Sequence, residues 1–145
     1  MIPLSHTQSA VRFTLEVVAL VAWGAAARRL PLPAPFDSFA VGGAVVVGAT
    51  LWAVFRVPGD ASAIGGAPVA VDGVTRLGME LVLLLGAAGA VVVIGHAWTG
   101  FVFAGAVAGH YVATRDRVRW LLDTKRHRGT EWARHRHQPS AEVAR

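Results

Sequence analysis

Four long apolar runs constrain this chain more than any other feature of its sequence. They cover residues 10–27, 39–55, 77–94 and 97–114, and the second run contains no charged residue. At 1.5 Å per helical residue each run measures roughly 26 Å, which is close to the thickness of the hydrocarbon core of a bilayer. Backbone groups in lipid must bond within the protein, and the runs are too long for the alternating strands of a membrane barrel. The runs therefore predict membrane-spanning α-helices.

The composition supports this interpretation. Hydrophobic residues make up 54% of the 145 residues and charged residues only 16%, whereas soluble domains carry about 25% charged residues. A soluble domain of this size could not bury so much apolar surface. We therefore predict an all-α integral protein of a bacterial plasma membrane. The bacterial source is inferred from the abundance of Ala, Gly, Val and Arg beside a single lysine.

The breaks between the runs predict the domain organisation. We expect a transmembrane domain over residues 8–114, with helices at about 10–29, 38–56, 75–94 and 97–114. Prolines 31, 33 and 35 form the first loop, a glycine-rich loop follows the second helix, and Gly95-His96 is a short turn. The fold class is a four-helix membrane bundle made of two similar helical hairpins. Residues 115–145 are expected to form a basic juxtamembrane helix and then a mobile cytoplasmic tail.

The distribution of charge predicts the orientation. Residues 115–145 carry nine of the fourteen Lys and Arg residues and four acidic residues, whereas residues 1–114 carry five of each sign. Basic segments beside spanning helices stay in the cytoplasm, so both termini should be cytoplasmic. Trp23 and Trp98 should then lie near the outer boundary, with Trp52 and Tyr111 near the inner one. The expected partners are the lipid bilayer and, for the basic tail, anionic headgroups. Nucleic acid is not an expected partner, because the tail lacks a recognition fold.

One charged motif occurs twice within the apolar runs. Arg12 and Glu16 open the first helix, and Arg76 and Glu80 open the third, 64 residues later. Charges inside spanning helices cost free energy and mark either function or a buried partner. Because Arg precedes Glu, the order is the weaker one for pairing within a helix. We therefore expect exchange between helices, with Arg12 meeting Glu80 and Arg76 meeting Glu16 in a ring of four charges. The alternative is that both arginines extend to the headgroups while the glutamates pair locally.

These motifs also carry a resemblance to a known family. Glu16 after an Arg-Phe opening, the Trp52-x-x-Phe55-Arg56-x-Pro58 end of the second helix, and Arg76-x-x-x-Glu80 together resemble the YrdB family. The resemblance covers roughly residues 9–112. It implies a small four-helix bacterial membrane protein and no known activity.

Several other residues are candidates for a polar or packing site, namely Trp52, Arg56 and His110. His110 and His96 are fourteen residues apart, or roughly 21 Å along a helix, so they cannot bind one metal ion together. Gly105 and Gly109 form a step of small residues that would allow close helix approach. The sequence has no cysteine and no recognisable catalytic motif. We therefore predict no metal, no cofactor and no enzymatic activity.

Two functions fit these features. The first is a structural or interaction module of the plasma membrane, in which the intramembrane Arg and Glu pairs hold the helices together. The alternative is a small oligomeric transporter or channel-like protein, in which Glu16 and Glu80 line a polar pathway. The discriminating observation is whether the glutamates face a cavity that water can reach or are fully bonded to arginines.

Overall fold

The computed structural model describes residues 5–58, 60 and 68–123, and this part of the chain is mostly helical. Its elements are α1 (His6–Ala27), α2 (Phe36–Val54), β1 (Phe55–Arg56), β2 (Val69–Ala70), α3 (Gly73–Val93), α4 (Ala97–Ala113) and α5 (115–123). Residues 124–145, which include the predicted mobile tail, lie outside the described residues.

Polar residues start two of the helices earlier than the apolar runs predicted. The Ser5 side chain accepts a hydrogen bond from the backbone N–H of Gln8, and the Gln8 side chain accepts one from the Ser5 N–H. This reciprocal cap starts α1 at residue 6 instead of residue 10. Asp72 caps α3 in the same position by accepting a hydrogen bond from the N–H of Thr75. A polar first turn carries no apolar signal, so the predicted starts were late.

The all-α prediction needs one correction after α2. Phe55 and Arg56 pair in parallel with Val69 and Ala70, and these residues form β1 and β2. The second helix therefore ends at Val54 and does not continue to residue 56. A pair of two-residue strands is too short to show a hydrophobic period, so it could not be predicted from the sequence.

The central contact is between α1 and α3. The outer helix α2 packs on α1, and α4 packs on α3. Small residues at the contact let the helices approach closely; the buried apolar side chains are Leu15, Ala19, Ala22, Leu84, Ala87, Ala88, Phe103 and Val107. The prediction that the first and third helices are adjacent is confirmed by these contacts.

Close approach of α4 to α3 occurs at a different glycine from the predicted one. A methyl group on Gly100 would lie 2.7 Å from the carbonyl oxygen of Ala88, so only glycine fits there. A methyl group on Gly105 or Gly109 would have no neighbour within 4 Å among the described residues. The predicted small-residue step therefore faces outward.

In the part of the chain that the structure describes, three helices, α1, α2 and α3, are long and apolar enough to cross a membrane. The only buried residue of α2 is Gly48, although its other residues are largely apolar. Large apolar side chains such as Phe39, Val93 and Trp98 are more than two-thirds exposed. Such a surface is compatible with a membrane protein, because lipid would cover it.

Candidate functional site

Glu80 is the most buried charge in the described part of the chain. It lies on α3 with 2% of its surface exposed. Its Oε1 atom accepts hydrogen bonds from Arg12 Nη2 at 2.6 Å, from Arg117 Nη2 at 2.9 Å and from Arg76 Nε at 3.0 Å. Its Oε2 atom accepts from the Tyr111 hydroxyl at 3.0 Å and from Arg117 Nη1 at 3.1 Å. Five donors thus surround one carboxylate.

Arg117 connects Glu80 to the loop after α2. Its Nη2 atom lies 2.7 Å from Asp60 Oδ2, and its Nε atom lies 3.4 Å from Asp60 Oδ1. Burial alone would lower the pKa of Arg117, but the hydrogen bonds and charges of Glu80, and then those of Asp60, outweigh burial and raise this pKa. Arg117 is therefore a permanent cation held between two carboxylates.

Arg12 bonds within its own helix as well as to Glu80. Its Nε atom donates to Glu16 Oε1 at 2.8 Å, and its guanidinium carbon lies 5.6 Å from the centre of the Trp52 ring. Its Nη1 atom is buried and has no hydrogen-bond partner among the described residues. Arg12 therefore joins α1 to α3 without using all of its donors.

Arg76 bonds to the end of α2. Its Nη1 atom donates to the backbone oxygen of Trp52 at 3.0 Å and to that of Phe55. The last carbonyls of a helix lack partners within the helix and carry partial negative charge, so a guanidinium satisfies them well. Its carbon lies 4.8 Å from the centre of the Trp52 ring, a cation–π distance.

The predicted ring of charges differs from the observed arrangement in one pair. Arg12 does meet Glu80, but Arg76 pairs with Glu80 and not with Glu16. Both arginines also pair with the glutamate of their own helix. The Nη1 atom of Arg76 instead bonds the end of α2, so the exchange between helices is one-sided.

We call the charged group the ion cluster; its members are Arg12, Glu16, Asp60, Arg76, Glu80 and Arg117. Three guanidinium groups balance three carboxylates, so its formal charge is zero. A neutral, hydrogen-bonded cluster is the form in which buried charges cost least.

The ion cluster lies where the ends of four helices meet. Arg12 and Arg76 belong to the early turns of α1 and α3, whereas Trp52 and Tyr111 belong to the last turns of α2 and α4. The Gln8 side chain also donates to the backbone oxygen of Ala113 at 3.4 Å. The starts of α1 and α3 and the ends of α2 and α4 therefore lie on one side of the molecule.

Two aromatic residues contact the charged side chains directly. Trp52, a candidate for a polar or packing site, packs on Arg12 and Arg76, and the Tyr111 hydroxyl donates to Glu80. The His110 ring packs edge-on against Tyr111, with centroids 5.9 Å apart. Arg56 lies in β1. No group of three His, Asp or Glu residues in the described ranges could hold a metal ion.

Comparison with known proteins places the chain in a family. Residues 10–108 match the model of the family described as "Protein of unknown function (DUF2568)". A protein of Bacillus subtilis (strain 168), named "Uncharacterized protein YrdB", is 33% identical over 129 residues, which cover 83% of this chain and 97% of the relative. The chain belongs to the YrdB-like DUF2568 family. No solved structure matches it.

The DUF2568 match includes five members of the ion cluster and ends before the sixth. Arg117 lies beyond residue 108, as does Tyr111. Sequence reasoning identified neither Arg117 nor Asp60. A signal for Arg117 existed, since the buried positions of α4, Gly100, Phe103 and Val107, continue at helical spacing through Thr114 and Arg117 to Leu121.

Glu16 differs from Glu80 in its access to the surroundings. Its side chain is 19% exposed, and it borders a cleft of about 230 Å³ between α1 and α2. The cleft is mainly apolar, with Trp23 and Trp52 among its walls and Arg56 at its edge. Within the DUF2568 chain, Glu16 is therefore the glutamate of the repeated motif that a small molecule can approach.

Proposed function

We propose that this DUF2568 protein is a multi-pass plasma-membrane protein without catalytic activity, which acts as a structural or interaction module. In this proposal the ion cluster is the clasp that fixes the helices against one another. α1 to α4 each cross the bilayer, as two hairpins, and both termini are cytoplasmic.

The state of Glu80 carries the proposal. A carboxylate that relays a proton or binds an ion needs contact with water and a free oxygen lone pair. Glu80 is 2% exposed and accepts five hydrogen bonds from three arginines and a tyrosine. The carboxylate is held as an anion, and its oxygens are already bonded to neighbouring side chains, which favours a structural role over transport.

Two observations support the proposed topology. The ends of α1 to α4 that meet at the ion cluster are those that four crossings would bring to one side. The crossing by α4 uses the smallest sufficient length, because α4 is the shortest of these helices at 17 residues and lies at the lower limit of spanning length. The nine basic residues after Thr114 favour the cytoplasm for that side.

A double-substitution cycle on thermal unfolding in neutral detergent tests the clasp. Glu80→Gln leaves three guanidinium groups short of an anion, and we expect it to cost about 3–5 kcal/mol. Arg12→Gln should cost a similar amount, and the double variant should lose less than the sum of the two.

The matched control pairs Glu80→Gln with Arg28→Gln. Arg28 is exposed near the other end of α1, so its effect should add to that of Glu80→Gln without coupling. If the losses at Arg12 and Glu80 are additive too, the clasp proposal is wrong.

The cleft beside Glu16 favours a second candidate, a small oligomeric transporter in which this glutamate faces the pathway. Under that function Glu16→Gln should abolish ion flux in protein that remains folded, although the variant also loses the ion pair with Arg12. Proton uptake into phosphatidylcholine proteoliposomes, followed with a pH-sensitive dye, is the measurement. Uptake no faster than in empty vesicles would remove proton transport from consideration.

A further inference from the structure

A second groove lies where α3, α4 and α5 meet. We call it the α5 groove; it has a volume of about 410 Å³ and is lined by Leu77, Leu81, Tyr111, Val112, Arg115, Val118 and Arg119. Its walls are apolar except for the tyrosine and the two arginines. A groove of this size falls within the range that holds small ligands or part of a lipid.

The two arginines of the α5 groove differ from the arginine between them. Arg117 is buried in the ion cluster, with 9% of its side chain exposed. Arg115 and Arg119 are both exposed, and neither forms an ion pair with another residue in the described ranges. Being four residues apart, they project from the same face of α5. The groove therefore combines an apolar wall with two exposed guanidinium groups that have no carboxylate partner among the described residues.

From this combination we infer that the α5 groove binds one anionic phospholipid of the cytoplasmic leaflet, with the phosphate between Arg115 and Arg119 and an acyl chain along Leu77, Leu81 and Val112. The inference rests on the proposed membrane placement and orientation. Guanidinium groups bind phosphate oxygens in a planar, two-point geometry. An uncharged apolar ligand would leave the two arginines without an anion, and a free phosphate would leave the apolar wall uncovered. A phospholipid with net negative charge satisfies both parts.

The position of the α5 groove predicts what the lipid does. Arg115 and Arg119 flank Arg117, the residue that carries α5 into the ion cluster. A lipid that bridges α5 to α3 and α4 binds only the docked arrangement of α5. Binding to the folded state alone raises its stability as the lipid concentration rises. The lipid should therefore reinforce the clasp from the cytoplasmic side.

Thermal unfolding of the full chain in neutral detergent, titrated with lipid, tests the inference. Added phosphatidylglycerol should raise the unfolding temperature to a plateau, whereas phosphatidylcholine should not. In the double variant Arg115→Gln with Arg119→Gln, the phosphatidylglycerol concentration needed for half of this effect should rise about tenfold to thirtyfold. Without lipid, this variant should unfold at nearly the wild-type temperature, because neither arginine forms an ion pair within the described ranges.

The matched control is the double variant Arg28→Gln with Arg29→Gln, which removes the same charge from exposed positions after α1. It should respond to phosphatidylglycerol as the wild type does. A second variant, Val112→Trp, fills the apolar wall at an exposed position and leaves every basic residue in place, and it should also lose the response.

Three results would overturn the inference. They are an equal response to phosphatidylcholine, an equal loss in both arginine double variants, and equal stabilisation by glycerol 3-phosphate, which would assign the site to a soluble phosphate. Failure of the membrane placement itself would look different. In that case alkaline carbonate would extract the wild-type chain from phosphatidylcholine vesicles. A chain that is inserted but responds no more to phosphatidylglycerol than to phosphatidylcholine contradicts the lipid site alone.

Discussion

Arg117 contacts both carboxylate oxygens of Glu80, with Nη2 2.9 Å from Oε1 and Nη1 3.1 Å from Oε2, although 37 residues separate them in the chain. Two parallel N–H···O bonds are the geometry in which a guanidinium holds a carboxylate most firmly. The same guanidinium bonds Asp60 in the loop after α2. One arginine beyond the last apolar run thus joins that loop, α3 and α5.

The first prediction compares neighbouring arginines of α5. Arg117→Gln should lower the free energy of unfolding by about 3 kcal/mol or more, because Asp60 and Glu80 both lose a buried partner. Arg119→Gln, two residues away and exposed, should change it by less than about 0.5 kcal/mol. Both are measured by unfolding in neutral detergent without added anionic lipid. Equal effects would show that the Arg117 bonds contribute nothing specific.

Truncation separates α5 from the residues after it. A chain that ends after Asp123 keeps Arg117 and the fully buried Leu121, and it should unfold at nearly the full-length temperature. A chain that ends after Asp116 loses both side chains, and we expect a loss of at least about 3 kcal/mol. Detergent-extracted yield and unfolding temperature are the measurements. A large loss for the chain that ends after Asp123 would contradict this prediction and mean that the segment after residue 123 packs on the helices.

Gly73 tests how closely α5 approaches α3. A methyl group on Gly73 would overlap the backbone carbonyl of Leu121, whereas one on Gly78, five residues along the same helix, would have no described neighbour within 4 Å. Gly73→Ala should therefore destabilise the protein by about 1–3 kcal/mol, the cost of overpacking. Gly78→Ala should stabilise it by up to about 1 kcal/mol through helix propensity. The same sign for both variants would contradict the close contact of α5 with α3.

Single cysteines in this cysteine-free chain test the topology. Cysteines at Pro33 and His96 should react with an impermeant thiol reagent in whole cells, and cysteines at Ser5 and Pro68 should react only after lysis. All four positions are exposed. Pro68 is a better probe of the second loop than Asp60, which bonds Arg117. Labelling at Pro68 but not at Pro33 in whole cells would reverse the orientation.

The helices were predictable because the length of an apolar run, and its need to satisfy its own backbone hydrogen bonds, follow from the order of residues alone. The repeated Arg and Glu motif likewise marked Arg12, Glu16, Arg76 and Glu80, since charges within apolar runs are costly wherever they occur. The sequence could not reveal which charge bonds which, because that depends on how the helices are rotated about their axes. The weaker order of Arg before Glu did not prevent pairing within each helix.

Asp60 and Arg117 were missed for a related reason. They lie in segments whose charges are ordinarily solvated, and the basic residues 115, 117 and 119 have the same local setting in the sequence. Only the continuation of the buried face of α4 beyond Thr114 distinguishes Arg117. Tyr111 and Trp52 were expected near the inner membrane boundary because aromatic residues are common there, and this expectation did not indicate that they contact the ion cluster.

The position of Arg117 in the chain determines when, during translation, the ion cluster can become complete. A chain is made from its N-terminus, so Arg12, Glu16, Asp60, Arg76 and Glu80 have all left the ribosome before Arg117 exists. At that stage the translated members of the ion cluster are two arginines and three acidic residues, with a net charge of −1. Arg117, the last member to be translated, brings this charge to zero. The ion cluster can therefore be completed only after the last apolar run has been translated.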